Sequence, residues 1–338
     1  MIDEKTKRQI VNVPYYEDVS RISNSNIGWF LKKGPAYLHS MLIGTAEGDK
    51  GQQLERGTMI HEYLLQPEEF QKDYVVWNKS RPSSAQQEKF CQALAQSIEI
   101  EPNKAIISAY RNAYRTSGSS DDLVLSKGLK MASELKEYIE WIKSFDKRTQ
   151  ISPSQAAMLF TIADNIQAHK LACKLLQKQY LKDEEELHHE FHINWEYKHN
   201  NVLVKCKSLL DSVYFDFKNK KVVLMDLKTT VHIGCFEESM KMYDYLRQLC
   251  YYTMAIWWYL ENERNEDTSK WSIDWYIIGI DTTGSYEIRV FKFTQKQIES
   301  EIEKINNALT NIYWHIDNNL WEHTKDYYEG DGSELLNL

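Results

Sequence analysis

Val222-Val223-Leu224-Met225-Asp226-Leu227-Lys228-Thr229-Thr230 is apolar until Asp226 and ionic thereafter. It reads as a strand from Val222 to Lys228. Side chains alternate along a strand, so Asp226 and Lys228 project from one face while Leu227 points away. Asp211, in Leu209-Leu210-Asp211, ends an apolar stretch of a second strand expected from about Val202 to Tyr214. The polar turn Lys218-Asn219-Lys220-Lys221 would join the two as a hairpin. Two carboxylates and an ammonium then converge on one point. Such a set suits a divalent cation and an activated water, the requirements of phosphodiester cleavage. The plain alternative is that Asp-x-Lys on a strand is a solvated ion pair of little consequence.

The totals fit an ordered globular protein. The chain has 338 residues, 42% of them hydrophobic and only 6 of them proline, which excludes disorder and allows a substantial core. The sequence shows no apolar run long enough for a membrane span, and MIDEKTKRQI lacks the apolar segment of a signal peptide, so a cytosolic protein is expected. Cys91, Cys173, Cys206, Cys235 and Cys250 are scattered with no Cys-x-x-Cys pair, against disulfides, a zinc ribbon or an iron–sulfur cluster. A net charge of -8 argues against a uniformly basic surface, but a local basic groove would still bind phosphates.

Along the chain, Ile22-Ser23-Asn24-Ser25-Asn26 caps a helix that Lys33-Gly34-Pro35 stops, and Ala36 to Leu42 starts another. Gln52 to Gln66 is helical and ends at Pro67. A helix-rich middle runs from Ser84 to Leu181, interrupted at Ser117-Gly118-Ser119-Ser120. Strand character fills Leu187 to Lys228 and returns from Ser272 to Phe293. One helix is expected from about Glu238 to Glu261 and a last one from Thr294 to Asn318. The tail Asp326 to Gly332 reads as turn. The order implies a mixed α/β core with a helical part inserted or flanking.

Four further groups carry chemistry. His61, in Gly57-Thr58-Met59-Ile60-His61, shares a helix face with Gly57 and Leu64 and is either a ligand or a core histidine. No second histidine follows four residues later, so a zincin helix is excluded. Glu190 sits in Leu187-His188-His189-Glu190-Phe191-His192, where alternation puts His188, Glu190 and His192 on one face. Ligands in a line along one strand do not make a tetrahedral zinc site, so the stretch reads as a solvated edge or as Glu190 alone serving as a metal ligand. Gln248 and Tyr252, four apart on a helix, would reach one ligand together or belong to an aromatic helix with a surface Gln. Lys205 and Lys207 share the face of Asp211 if that strand is unbroken, and would contact phosphate or water. Arg81, Arg111 and Arg115 are not singled out by their spacing.

In series, Ile22-Ser23-Asn24-Ser25, Pro35-Ala36-Tyr37, Gly57-Thr58-Met59-Ile60-His61, Leu64 to Phe70, Glu190, Asp211, Asp226-Leu227-Lys228 and Gln248-x-x-x-Tyr252 resemble the PD-(D/E)xK nuclease superfamily. The likeness is to its exonuclease VIII (RecE)-like branch and the related RecB-type nuclease domains, over about residues 20 to 330. Ser208-Leu209-Leu210 departs from the more polar residues usual before the first catalytic Asp. The resemblance implies a restriction-endonuclease-like core, a mixed central sheet flanked by helices with a helix-rich insertion. It implies one nuclease domain over 1–338: N-terminal helices at 20–80, the insertion at 81–182, catalytic strands and the Gln-x-x-x-Tyr helix at 183–262, and C-terminal strands and helix at 263–338.

The same resemblance implies roles. Asp211, Asp226, the Leu227 carbonyl, His61 and, less firmly tied, Glu190 would hold Mg²⁺ or Mn²⁺, as two ions. Lys228 would orient the attacking water, and Gln248, Tyr252, Lys205 and Lys207 would position DNA. The activity implied is a 5′→3′ exonuclease on duplex ends in phage-type recombination or replication, in the host cytoplasm if phage-encoded. A single-strand annealing protein and a ring-forming homo-oligomer would accompany it. A single-strand-directed RecB-type nuclease, an endonuclease, or a silent fold that only binds DNA ends or a protein are the alternatives.

Overall fold

The computed structural model describes residues 14–46, 51–99, 101–116, 118–176 and 181–334. MIDEKTKRQI and Ser117, on which two expectations fall, lie outside the described residues. In chain order the elements are α1 (Asn24–Leu42), α2 (Gln52–Leu65), α3 (Pro67–Asp73), β1 (Tyr74–Val76), α4 (Ala85–Ala95), α5 (Pro102–Ala113) and α6 (Asp121–Glu134). Then come α7 (Lys136–Lys143), β2 (Thr149–Ile151), α8 (Pro153–Ala168), α9 (Lys170–Leu176), β3 (Glu185–His199), β4 (Val202–Asp216) and β5 (Lys221–Thr230). The remainder are α10 (Phe236–Tyr243), α11 (Tyr245–Asn262), β6 (Ser272–Asp281), β7 (Ile288–Phe293), α12 (Gln295–Glu299), α13 (Ile302–Asn318) and α14 (Lys325–Glu329). Among the described residues no helix is long and apolar enough to cross a membrane.

The chain divides into two compact units, one of Met1–Pro67 with Leu159–Leu338 and one of Glu68–Met158. The first holds a five-stranded sheet ordered β3-β4-β5-β6-β7. Only β5 and β6 run parallel; the other neighbours are antiparallel. That parallel step needs a crossover, which α10 and α11 supply. This is the expected mixed central sheet with flanking helices, an architecture compatible with a restriction-endonuclease-like core. Leu249, Tyr251, Ala255, Ile256 and Leu260 of α11 share a buried core with Trp195, Phe215, Leu224 and Ile277 of the sheet and with Ile305, Leu309 and Ile312 of α13. Each such large aliphatic contributes about 1.5–3 kcal/mol on burial.

The second unit is mainly helical, with a core of Phe90, Cys91, Ala109, Tyr110, Val124, Leu135 and Ile139. Gly128 lets α6 approach α5, since a Cβ there would collide with Ile106 Cγ2. Its short parallel pair of β1 and β2 is absent from the sequence reading, because three-residue strands carry no periodicity to read. The sequence segment 81–182 overlaps this unit and runs past its end.

Local signals place several boundaries. Ser23 and Asn26 form a reciprocal capping box at the start of α1, and the helix path breaks at Gly34, whose φ of 81° lies in the left-handed region. Three boundaries differ from the reading. The helix expected over Glu238–Glu261 is two, α10 and α11, broken at Asp244 with φ 58° and ψ 48°. Asp244 holds that conformation through Arg247 Nε and Lys304 Nζ, each 2.9 Å from its carboxylate. The last helix also splits, at Ser300 and Glu301, and the tail contains the short helix α14, capped by Thr324.

Candidate metal and active site

The β4–β5 ladder runs from Asp216–Lys221 to Ser212–Met225 and stops. The next backbone donor, Leu227 N–H, goes to the side chain of Asp211, Oδ2 at 2.7 Å. A strand end that would leave an N–H unpaired instead fixes a carboxylate. On β5 the alternation holds. Lys228 Nζ lies 2.5 Å from Asp226 Oδ2, while Leu227, 1% exposed, turns to the other side. The Tyr245 ring of α11 flanks the ammonium, its centroid 5.0 Å from Nζ. Tyr245 is a contact of Lys228 that the sequence alone did not single out. Its signal was available, because Tyr245, Gln248 and Tyr252 fall on one helix face.

Gln248 and Tyr252 do meet one group, but that group is Asp226. The Gln248 amide donates to Asp226 Oδ1 at 3.2 Å and to the Tyr252 hydroxyl at 2.9 Å. Tyr252 is 7% exposed, so the pair stands behind the carboxylate and orients it rather than facing open space.

Glu190 stands opposite Asp211 by the register of β3 and β4, yet both are skipped in the ladder. Its φ is 48°, a left-handed value inside a strand that costs a non-glycine residue about 1–2 kcal/mol. The alternation expected for this strand breaks there. His188 and Phe191, three apart, stack at 4.7 Å, and both contact Phe215. His188 also pairs with Glu186 and His192 with Asn194, so neither imidazole turns to Glu190. The kink leaves Glu190 alone with Asp211. His61 arrives from α2, its Nδ1 3.6 Å from Asp211 Oδ2. One donor atom from each of His61, Glu190 and Asp211 lies within 4.8 Å of the other two.

The electrostatics fit a site made for a cation. Burial, then the neighbouring Asp211 and Asp226 charges, push Glu190 up to about 7 from its ordinary 4.5. Burial also raises Asp226, to about 6, with Lys228 pulling against it and Asp211 adding to the rise. Asp211 is raised as well, by burial. Burial opposes the Lys228 ammonium, but Asp226 and Asp211 outweigh it and hold its pKa above the usual lysine value. Burial and the Lys228 charge press His61 down to about 4, against the Asp226 charge and a hydrogen bond from the imidazole to the Leu227 backbone, which favour its charged form. At neutral pH the imidazole is therefore neutral with a lone pair to offer. Three crowded carboxylates plus a neutral imidazole are hard donors with one borderline nitrogen, a set suited to Mg²⁺ and, through the imidazole, to Mn²⁺.

Lys207 does not join this cluster. Its ammonium donates to the carbonyls of Tyr15 and Asp18 and lies over the Tyr15 ring, so it anchors the segment before α1. Lys205 is exposed on β4. Arg111 pairs with Asp121 in the second unit, and Arg81 and Arg115 are exposed there. The free cysteines remain unpaired thiols.

No family model matches the chain, and no curated protein does. Among solved structures it is similar to a chain from Eubacterium rectale named provisionally as an exonuclease, at 12% identity and a TM-score of 0.46, with 95% of this chain and 91% of that one covered. A likeness so remote assigns neither family nor activity, and the function has to come from the geometry.

Proposed function

We propose that this protein is a Mg²⁺- or Mn²⁺-dependent deoxyribonuclease of the PD-(D/E)xK type, in its exonuclease VIII-like branch, acting 5′→3′ from duplex ends. The observation that carries the reading is the meeting of His61, Glu190, Asp211, Asp226 and Lys228, drawn from α2, β3, β4 and β5, at the point where the β4–β5 ladder stops. His61, Glu190, Asp211, Asp226 and the Leu227 carbonyl are the groups that would hold metal. A divalent cation bound there supplies Lewis-acid chemistry and a hydroxide-forming water near neutral pH.

The chain's own groups do the rest. Lys228 Nζ, fixed between Asp226 Oδ2 and the Tyr245 ring, holds a positive charge where phosphoryl oxygens gain negative charge. The same ammonium orients the attacking water and favours its loss of a proton. Gln248 keeps Asp226 Oδ1 turned to the site. DNA ends as substrate, a single-strand annealing partner and a ring-forming homo-oligomer belong to the same reading.

The test is digestion of linear duplex labelled at the 5′ or the 3′ end, beside a covalently closed circle, with Mg²⁺ or Mn²⁺. Early loss of the 5′ label with the circle intact is expected. Cutting of the circle would make the protein an endonuclease. Failure to cut duplex or single strand with either ion would leave a fold that only binds.

A further inference from the structure

Immediately beyond Lys228 a cleft opens between α2, the end of β5 and α10. Arg56, Thr229, Thr230, Ser239, Tyr243 and Tyr245 line it, with Val231 and Thr282. Among the described residues its wall contains no carboxylate, although the chain carries a net charge of -8. The cation in its lining is Arg56, which is exposed and among the described residues makes one long hydrogen bond, Nη1 to Thr282 O at 3.4 Å. Among the described residues no acid pairs with it, so most of its five donors face the cleft or solvent. Gly57, the next residue, brings α2 against β5: a Cβ there would stand 3.1 Å from Thr229 Oγ1. That close approach sets Arg56 at the rim.

The opposite wall is aromatic and held rigidly. Tyr243 is 54% exposed and stacks on Tyr245, centroids 5.6 Å apart at 19°, and Lys32 Nζ, held by the Met242 carbonyl, lies 5.9 Å from the Tyr243 centroid, a second cation beside the ring. Tyr245 in turn flanks Lys228, so the cleft begins where the ammonium of the candidate active site sits. Between the two stacked tyrosines Asp244 is left-handed and paired with Arg247 and Lys304. A backbone conformation disfavoured by about 1–2 kcal/mol and held by two cations makes a preformed shelf.

A guanidinium with free donors, several hydroxyls and an exposed stacked ring recognise a phosphodiester with a base attached. We infer that this cleft is the subsite for the nucleic-acid strand beside the bond that is cut. Arg56, with the hydroxyls of Thr229 and Ser239, takes a backbone phosphate, and the outer face of Tyr243 stacks on the neighbouring base. The inference rests on the nuclease reading above.

The test measures binding of a fluorescein-labelled oligodeoxythymidine by anisotropy in the Asp226→Ala protein, and KM for cleavage in the otherwise wild-type protein. Tyr243→Ala should weaken binding about tenfold and Tyr243→Phe should restore it, since the ring makes the contact. Arg56→Gln should weaken binding about tenfold and flatten the slope of log K against log salt by about 0.7, the signature of one lost phosphate contact on a single strand. Both losses should appear as a higher KM. Unchanged affinity in both variants, or an Arg56→Gln loss with the salt slope intact, would overturn the cleft while wild-type cleavage kept the nuclease reading standing. A wild-type protein that cuts nothing would overturn the nuclease reading and, with it, the place of the cleft beside a cut bond.

Discussion

Lys228 is a group whose removal should slow the proposed reaction without abolishing it. On the proposed reading Lys228→Ala takes away a cation held beside the reacting phosphate, and turnover of duplex DNA should fall by about 10²–10³-fold, as for loss of a single electrostatic stabiliser. Gln248 acts through Asp226. Gln248→Ala should lower Mn²⁺ affinity by about 10- to 100-fold in titration calorimetry, the usual effect of losing a ligand's hydrogen-bond partner. Unchanged affinity would remove Gln248 from the site. Glu190 separates strain from function. Glu190→Gly should leave the metal-free protein within about 1 kcal/mol of wild type or above it in urea unfolding, because glycine accepts the φ of 48°, yet it should weaken Mn²⁺ binding. Asp211, Asp226 and Lys228 were legible because strand alternation is local. The target of Gln248 and Tyr252 was not, because it depends on where α11 lies over β5. Lys207 was misread for a similar reason: its partners, Tyr15 and Asp18, are nearly two hundred residues away in sequence.

The elements show which sequence signals suffice. The capping box at Ser23 and the Gly34-Pro35 break in α1 are local and appear where their residues predict. The break between α10 and α11 is not local, since Lys304 of α13 helps hold Asp244 left-handed. Arg247 closes the same joint from inside. It is 3% exposed and donates to Asp244 and to the Asn24 carbonyl at 2.9 Å, and Gly28 leaves room for its guanidinium. Arg247→Met should destabilise the protein by about 3 kcal/mol in urea, the range for breaking a buried pair from one side. Arg247→Lys should rescue little of it, because one ammonium cannot span both acceptors. A loss below about 1 kcal/mol would show that the joint does not depend on this fork. The kink of β3 at Glu190 was also invisible, since nothing in Leu187 to His192 interrupts the strand pattern.

At the scale of the whole molecule the charge crowding becomes a stability profile. Glu190 and Asp226 titrate near 7 and 6 in the folded chain and near their ordinary 4.5 and 3.8 when unfolded. Between those values the folded state holds the extra protons, so metal-free stability falls as pH rises through that window. His61, lowered to about 4, works the other way below its ordinary 6.5 but is one group against the raised Glu190, Asp226 and Asp211. Bound metal relieves the repulsion and competes with those protons. The rise in Tm on adding Mn²⁺ should therefore be several degrees larger at about pH 8 than at about pH 5.5. An equal rise at both would mean that these carboxyls do not hold the ion. The mixed core was readable from the order of strands and helices, whereas the second unit showed only as helix-rich sequence.

If the cluster on α2, β3, β4 and β5 cuts DNA with a divalent cation, as proposed, cleavage must depend on both the ion and its carboxylates. The most direct measurement follows hydrolysis of end-labelled duplex as Mn²⁺ is titrated into wild type and Asp226→Asn side by side. Saturable, Mn²⁺-dependent cleavage by wild type, with the variant silent at every Mn²⁺ concentration and equally folded, is the expected result. Cleavage by Asp226→Asn at the wild-type rate, or none by wild type at any concentration, would contradict the account.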